Sequence, residues 1–290
     1  MDDKKRLIVI DANSIIHRAF HALPPLTTKK GELVNAVYGF LLVFFKALKD
    51  FQPDFVAACF DFPGPTFRHE KFKEYKAKRP PAPEGLYEQI PKVKEVLGAF
   101  NVSVFEKQGF EADDIIGTIS GKAPQKQVVP EIETIILSGD KDTLQLVDKN
   151  TKVYSLRKGV KDIVLYDEAE VEKKYGLRPE QVLDYKALRG DPSDNIPGVT
   201  GIGEKTATEL LRKFGSLENI YENIALVPGK LKEKLLQYKE QAFLSRELAK
   251  IDKNVPIDFN LKECQWGYDK GKAEKALKEL NFNSLLNRMP

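Results

Sequence analysis

Histidine, cysteine and tryptophan are scarce in this 290-residue chain, which holds three, two and one of them. Cys59 and Cys264 make no disulfide framework, and neither has a neighbour at zinc-ligand spacing, so a reducing setting is the default. None of His17, His21 and His69 lies in a serine-elbow context, so a nucleophilic triad finds no support. A phosphate-binding GxxxxGK[ST] loop is missing, which argues against nucleotide hydrolysis. Long apolar runs are missing too. The opening MDDKKR leads into too few apolar residues for a signal peptide or a membrane span, and a cytoplasmic protein is expected. Nor is there an excess of one charge: 46 Lys and Arg stand against 43 Asp and Glu, a net +3. That balance says nothing about nucleic acid, so local clustering has to carry any such argument. The length suffices for one large domain or two unequal ones, with no internal repeat and no low-complexity tract.

What the chain has is a set of carboxylates at the ends of apolar runs. Leu7–Ile10 reads as a buried strand and is followed at once by Asp11. A second strand, Phe55–Phe60, is closed by Asp61, and a third, Thr134–Leu137, leads into Asp140 and Asp142. Open α/β sheets bind their ligands at the carboxyl ends of strands. A single aspartate there is as easily a helix cap, but repetition of the placement points to one shared site. Glu111, Asp113 and Asp114 crowd the start of a helix expected from Ala112, more acids than a helix N-terminus needs. Val102–Phe105 reads as a further strand, Val153–Tyr154 and Ile163–Leu165 as short edge strands. Strands alternating with helices give a mostly parallel α/β sheet. From about Pro179 only helices are expected, including Glu180–Leu188, Glu204–Phe214, Leu217–Ile224, Leu231–Tyr238 and Ala273–Leu280. The proline-flanked stretch Ala123–Pro130 leaves the end of the preceding helix open.

Two further stretches suggest a polyanionic partner. Arg68 to Arg79 carries six Lys/Arg against two Glu, with Phe72 and Tyr75 interleaved, and prolines bound it on both sides. Taken alone it could be a solvated amphipathic helix. Beside a carboxylate site, its cations can neutralise phosphates and its aromatics can stack on bases. In Leu188–Ala207, Asp191 and Asp194 precede a glycine turn, Gly201-Ile202-Gly203, that runs straight into a helical pattern with Lys205 and Thr206. Glycines and a helix N-terminus together favour a phosphate.

Asp11, Asp61, Glu111, Asp113, Asp114, Asp140, Asp142, Asp191 and Asp194 gathered in one cleft would repel one another and raise their pKa values. Divalent cations resolve that conflict, and an all-oxygen set favours Mg²⁺ or Mn²⁺ over Zn²⁺. Two such ions suit phosphodiester hydrolysis, whereas glycosidase chemistry needs only two carboxylates.

The strings IDANSIIHRAFHALPPLT, NAVYGF, FRHEKFKEYKAKRP, EADDIIGT, SGDKDTLQLV and GDPSDNIPGVTGIGEKTA, in this order, resemble the 5′-nuclease (5′-3′ exonuclease) domain of bacterial DNA polymerase I, in the flap endonuclease superfamily. The resemblance implies a PIN-like α/β core over about 1–178 with a helical arch near 63–90. It implies a helical DNA-binding region over 179–290 with a helix–hairpin–helix-type clamp near 188–214. It places Asp11, Asp61, Glu111, Asp113 and Asp114 in a tighter metal site, and Asp140, Asp142, Asp191 and Asp194 in a second. Arg68, Tyr75, Lys76 and Arg79 would lie in the arch and grip the scissile phosphate or the unpaired 5′ end, with Lys76, Arg68, Asp113 and Asp114 catalytic. Gly201, Gly203, Lys205 and Thr206 would hold duplex, with K⁺ as a further ion at the hairpin carbonyls. The short link between acids and hairpin would then act as a ruler for the cut. Implied partners are DNA with a 5′ flap, nick or 5′ end, RNA primer strands, and a polymerase domain in cis or in trans, the chain itself acting as a monomer. A catalytically silent branched-DNA binder and an RNA-specific PIN nuclease are the alternatives. The first should have lost site carboxylates, and the second has little use for a basic arch and a glycine hairpin.

Overall fold

A computed structural model describes residues 4–123 and 131–290. Part of the Ala123–Pro130 stretch therefore lies outside the described residues. Six strands, β1 (Lys5–Asp11), β2 (Phe55–Cys59), β3 (Ser103–Phe105), β4 (Ile132–Ser138), β5 (Thr151–Lys158) and β6 (Asp162–Tyr166), form one sheet in the order β3-β2-β1-β4-β5-β6. All neighbours are parallel except the β5–β6 pair. β1 is the middle of the reversal: the chain moves one way to β2 and β3 and the other way from β4 onward. The crevice beside its carboxyl end is where such sheets bind ligands.

β1 is apolar throughout its centre because both faces are covered. Ile8 and Ile10 enter a core with α1 (Ala12–Ala22), α2 (Asn35–Phe51) and the helices near Phe100, whereas Leu7 and Val9 enter the opposite core. Between β2 and β3 run the short helices α3 (Phe67–Lys71) and α4 (Glu84–Tyr87), then α5 (Gln89–Ala99). The expected arch region is thus two short helices separated by turns. α6 (Ala112–Lys122) starts where the acid cluster predicts. The expected edge strand at Val153–Tyr154 proves to be the middle of β5, an eight-residue strand beside β4, because β6 folds back antiparallel and takes the edge instead.

The rest is helical: α7 (Glu168–Tyr175), α8 (Val182–Arg189), α9 (Glu204–Phe214), α10 (Leu217–Glu222), α11 (Gly229–Gln237), α12 (Lys239–Ala249), α13 (Lys270–Glu279) and α14 (Asn283–Leu286). A third core, with Tyr185, Leu188, Val199, Ile202 and Leu211, holds the hairpin segment to this helical layer. A small fourth core joins Tyr75 to Ile196 and Leu248, so the basic segment is packed against the helices, not held apart from them. No helix among the described residues is long and apolar enough to cross a membrane.

Candidate active site

Asp11 ends β1 and serves two purposes at once. Its Oδ1 accepts the Ser14 N–H at 3.1 Å, capping α1, and its Oδ2 accepts the Ser138 hydroxyl at 2.6 Å from the end of β4. Asp61, just past β2, accepts the Ala112 N–H of α6 at 2.8 Å. Strand ends and helix start are therefore stitched together by the acids themselves. Asp140 accepts the Asp142 N–H at 2.9 Å, which folds the turn after β4 back toward α8.

The electrostatics reveal the crowding. Burial, then the nearby Asp11, Asp140, Asp142 and Glu111 charges, lift the Asp113 carboxyl well above the usual range. Burial pushes Asp11 up to about 6, opposed by the Ser138 and Ser14 hydrogen bonds. Burial and Asp140 push Asp142 up to about 7 despite Lys186. Asp61 keeps solvent access, yet the protein crowded around it raises its pKa as well. Asp191 moves the other way: burial works against it, but Lys186 and Ser193 bring it down to about 2.

Cations meet the remaining acids. Lys76 Nζ donates to Glu111 Oε1 at 2.7 Å, and Tyr75 Oη donates to Glu111 and Asp194, each at 3.1 Å. Arg79 pairs with Asp194, and Lys186 of α8 with both Asp142 and Asp191. As the side chains stand, no three His, Cys, Asp or Glu among the described residues converge on one point closely enough to chelate an ion. The donor chemistry nonetheless fits hard divalent cations. Every candidate ligand is an oxygen, and Asp11, Asp61, Asp113 and Asp140 make no ion pair among the described residues, which leaves them open to a cation.

Three of the expected site residues are already engaged within the packed protein. Arg68 is only 2% exposed, and its guanidinium is already used: Nη1 and Nη2 bind the two Asp114 oxygens at 2.7 Å each, Nε donates to Leu248 O, and Nη2 to Lys250 O. It has no free face for a phosphate. Asp114 is fully buried, and besides Arg68 its oxygens accept the Glu111 and Asp252 N–H groups, leaving no lone pair aimed at the cluster. Adjacent helix positions point about 100° apart, so Asp113 faces the acids while Asp114 faces the helical layer. Removing one partner of such a pair strands a buried charge. Arg68→Met is accordingly expected to destabilise the fold by about 3–5 kcal/mol, read by urea denaturation; a loss below about 1 kcal/mol would show that the pair behaves like a surface ion pair. Tyr75, 3% exposed, is likewise no stacking platform but a hydroxyl linking Glu111 to Asp194. Lys205, by contrast, has a side chain 90% exposed at the start of α9, beside exposed Gly201 and Gly203.

Lys186 escaped the sequence reading. The available signal was a lone lysine among the buried Tyr185, Ala187 and Leu188, five residues before Asp191.

The raised acids have a consequence for stability. An acid whose folded pKa exceeds its unfolded value binds its proton more tightly when folded, so stability falls as pH rises through that interval. Asp191 acts oppositely, its contribution being lost only as pH falls from about 4 toward about 2. In chelator the thermal midpoint is therefore expected to fall between about pH 5 and about pH 8, and millimolar Mg²⁺ or Mn²⁺ to restore most at the upper end, where ligands are deprotonated. A midpoint flat or rising over that interval would contradict the crowding.

Sheet order, acids at successive strand ends and a helical layer alongside define a PIN-like α/β fold with an acidic crevice at the carboxyl end of its sheet. Family models describe the two parts: "5'-3' exonuclease, N-terminal resolvase-like domain" matches residues 6–176 and "5'-3' exonuclease, C-terminal SAM fold" matches residues 177–272. The chain belongs to the 5′-3′ exonuclease family. It is 45% identical over 291 residues to DNA polymerase I of Bacillus subtilis (strain 168), covering 100% of this chain and 33% of that protein. It is 38% identical to DNA polymerase I of Mycobacterium tuberculosis, covering 99% of this chain and 32% of that protein. The chain thus spans about a third of the length of these relatives. Among solved structures, T5 D15 protein co-crystallised with metal ions superposes with a TM-score of 0.69 at 20% identity, covering 98% of this chain and 96% of that one. The catalytic core of Rad2 in complex with DNA substrate gives 0.60 at 18% identity, covering 99% and 93%. At these identities the likeness is one of fold.

Proposed function

We propose that this chain is a structure-selective 5′ nuclease that hydrolyses phosphodiester bonds at 5′ ends and 5′ flaps of DNA, and in RNA primers, during replication and repair. One observation carries the reading: acids from three strand ends and the start of α6 lie near enough to raise one another's pKa values, beside a basic segment whose Lys76 already contacts one of them. We read residues 1–178 as the nuclease core and 179–290 as the DNA-binding region, the chain acting as a monomer with a polymerase domain in cis or in trans.

The ligands would be Asp11, Asp61, Glu111 and Asp113 at one site and Asp140, Asp142, Asp191 and Asp194 at the other, with Asp114 and Arg68 holding the helix start in place. Two Mg²⁺ or Mn²⁺ ions, when bound, supply the charge that makes water a competent nucleophile and offsets the leaving oxygen. The protein's own residues do the rest. Lys76 has an ammonium at the acid cluster, where it can balance charge developing on the phosphate. Arg79, half exposed, extends that positive rim toward an unpaired strand. Lys186 keeps Asp142 and Asp191 together and holds Asp191 ionised. Exposed Gly201, Gly203 and Lys205, with half-buried Thr206, suit duplex backbone, and the carbonyls of that turn could take K⁺. Metal ions in the T5 protein and DNA substrate in the Rad2 core support these readings.

An RNA-specific nuclease is separated from this reading by one comparison. Matched 5′-flap DNA and single-stranded RNA are incubated with the protein and Mg²⁺. The flap substrate is expected to be cut at least about tenfold faster, a preference worth about 1.4 kcal/mol. Faster cutting of the RNA would replace the proposal.

A further inference from the structure

Lys76 has a backbone no lysine chooses freely. Its φ is +55°, in the left-handed region that costs a side-chain-bearing residue on the order of 1 kcal/mol. What holds it there is a run of three residues in the loop after Asp191. Asp194 O accepts the Lys76 N–H at 2.9 Å, Asn195 Nδ2 donates to Glu74 O at 2.7 Å, and Ser193 O accepts from Arg79 Nε at 3.2 Å. Asn195 is itself left-handed at φ +57°, which asparagine tolerates well.

The loop can bear this load because its other side is anchored. Asp191 and Ile196 exchange both backbone hydrogen bonds at 2.9 Å. Gly198 donates to Ser245 Oγ at 3.0 Å and accepts from Gln241 Nε2 at 2.6 Å, both on α12. It sits so close to α8 that a Cβ there would come within 2.2 Å of Gly190 N. The loop is thus a rigid piece of the helical layer, a few residues before the Gly201–Gly203 turn, with its free edge on the basic segment.

We infer that Asn195 is a positioning residue for Lys76: its side chain clasps the turn that presents the lysine, tying the reacting end of the molecule to the layer that carries the glycine hairpin. The inference rests on the reading of Lys76 as the group that meets the phosphate. It also gives the link between acids and hairpin a function beyond length, since the ruler is fastened to the basic segment along its course.

Asn195→Gly isolates the clasp, because glycine keeps the left-handed backbone and removes only the side-chain donor. Asn195→Asp provides a second test, keeping the conformation but turning the donor into an acceptor. Single-turnover cleavage of a 5′-flap duplex in saturating Mg²⁺ is expected to slow by about fivefold or more in both, the order of one net hydrogen bond. Affinity for the same duplex in Ca²⁺ and the thermal midpoint are expected to stay at wild-type values. In a Lys76→Ala background, Asn195→Gly should add nothing, because the clasp acts through the missing lysine. A wild-type rate in both Asn195 variants, weakened binding in proportion to rate, or a full additive loss in the Lys76→Ala background would each overturn the inference. Full cleavage by Lys76→Ala alone would instead overturn the reading of Lys76, and the clasp with it.

Discussion

Asp113→Ala is expected to lower cleavage of a 5′-flap duplex by on the order of 10³-fold or more, while raising the thermal midpoint of the chelator-treated protein. The two halves come from one cause. Asp113 is the acid most surrounded by others, with Asp11, Asp140, Asp142 and Glu111 all lifting its pKa after burial itself. Without a cation that crowding opposes folding at neutral pH, so removing the carboxylate relieves it. With cations bound, the same carboxylate becomes an anchor for charge, and its loss weakens metal binding and orientation together. Gain of stability alongside loss of function is the signature of a site arranged for chemistry at the expense of the resting fold. Cleavage within about tenfold of wild type would remove Asp113 from the ligand set. An unchanged or lower midpoint in chelator would show that the acids are farther from one another in solution than the structure has them.

The second large effect is expected at Lys76. Lys76→Ala should slow the single-turnover rate by about 10²–10³-fold with little change in duplex affinity, because its ammonium lies at Glu111, inside the acid cluster. Lys76→Arg should recover part of the rate: the charge remains, but a planar guanidinium does not fit where a compact ammonium sits. Arg79→Ala is the natural comparison. Its side chain is 47% exposed and pairs with Asp194 at the rim, so a smaller loss is expected, weighted toward binding of the unpaired strand. Equal losses at the two positions, or a Lys76→Ala defect confined to affinity, would contradict a transition-state role for Lys76.

How much of this could be read from the chain alone follows from how local each feature is. β1, β2 and β4 were legible because a strand buried on both faces must be a short apolar run, and an acid at its end is conspicuous. The helix from Ala112 and the one from Glu204 announced themselves by acids and glycines at their starts. β5 was underestimated because the polar residues at its ends disguise a strand whose centre is buried. α7 and α12 went unread: charged residues dominate α7, and α12 buries only Ala242, Ser245, Leu248 and Ala249, too mixed a set to stand out as an apolar stripe. The site divides in the same way. That acids would gather at the strand ends was legible. That Asp114 would turn away to Arg68, and Arg68 onward to Leu248 and Lys250, was not, because those partners are remote in sequence and only the packed helical layer brings them within reach. A basic run reports how much charge a segment carries and not which of its cations is buried. Arg68, Lys76 and Arg79 look alike in sequence, yet one is sealed in a structural pair, one reaches the acid cluster and one stands at the rim.

The claim on which all of this depends is that the acid cluster of this chain, loaded with divalent cations, cuts a strand near the junction of a 5′ flap. The direct measurement uses a 5′-flap duplex labelled at the flap end, incubated with the protein in Mg²⁺, in Mn²⁺ and in chelator, with product lengths read at nucleotide resolution. A narrow set of products ending within a nucleotide or so of the flap junction is expected in either metal, and none in chelator. Cleavage that persists in chelator, or a ladder spread evenly along the labelled strand, would contradict it.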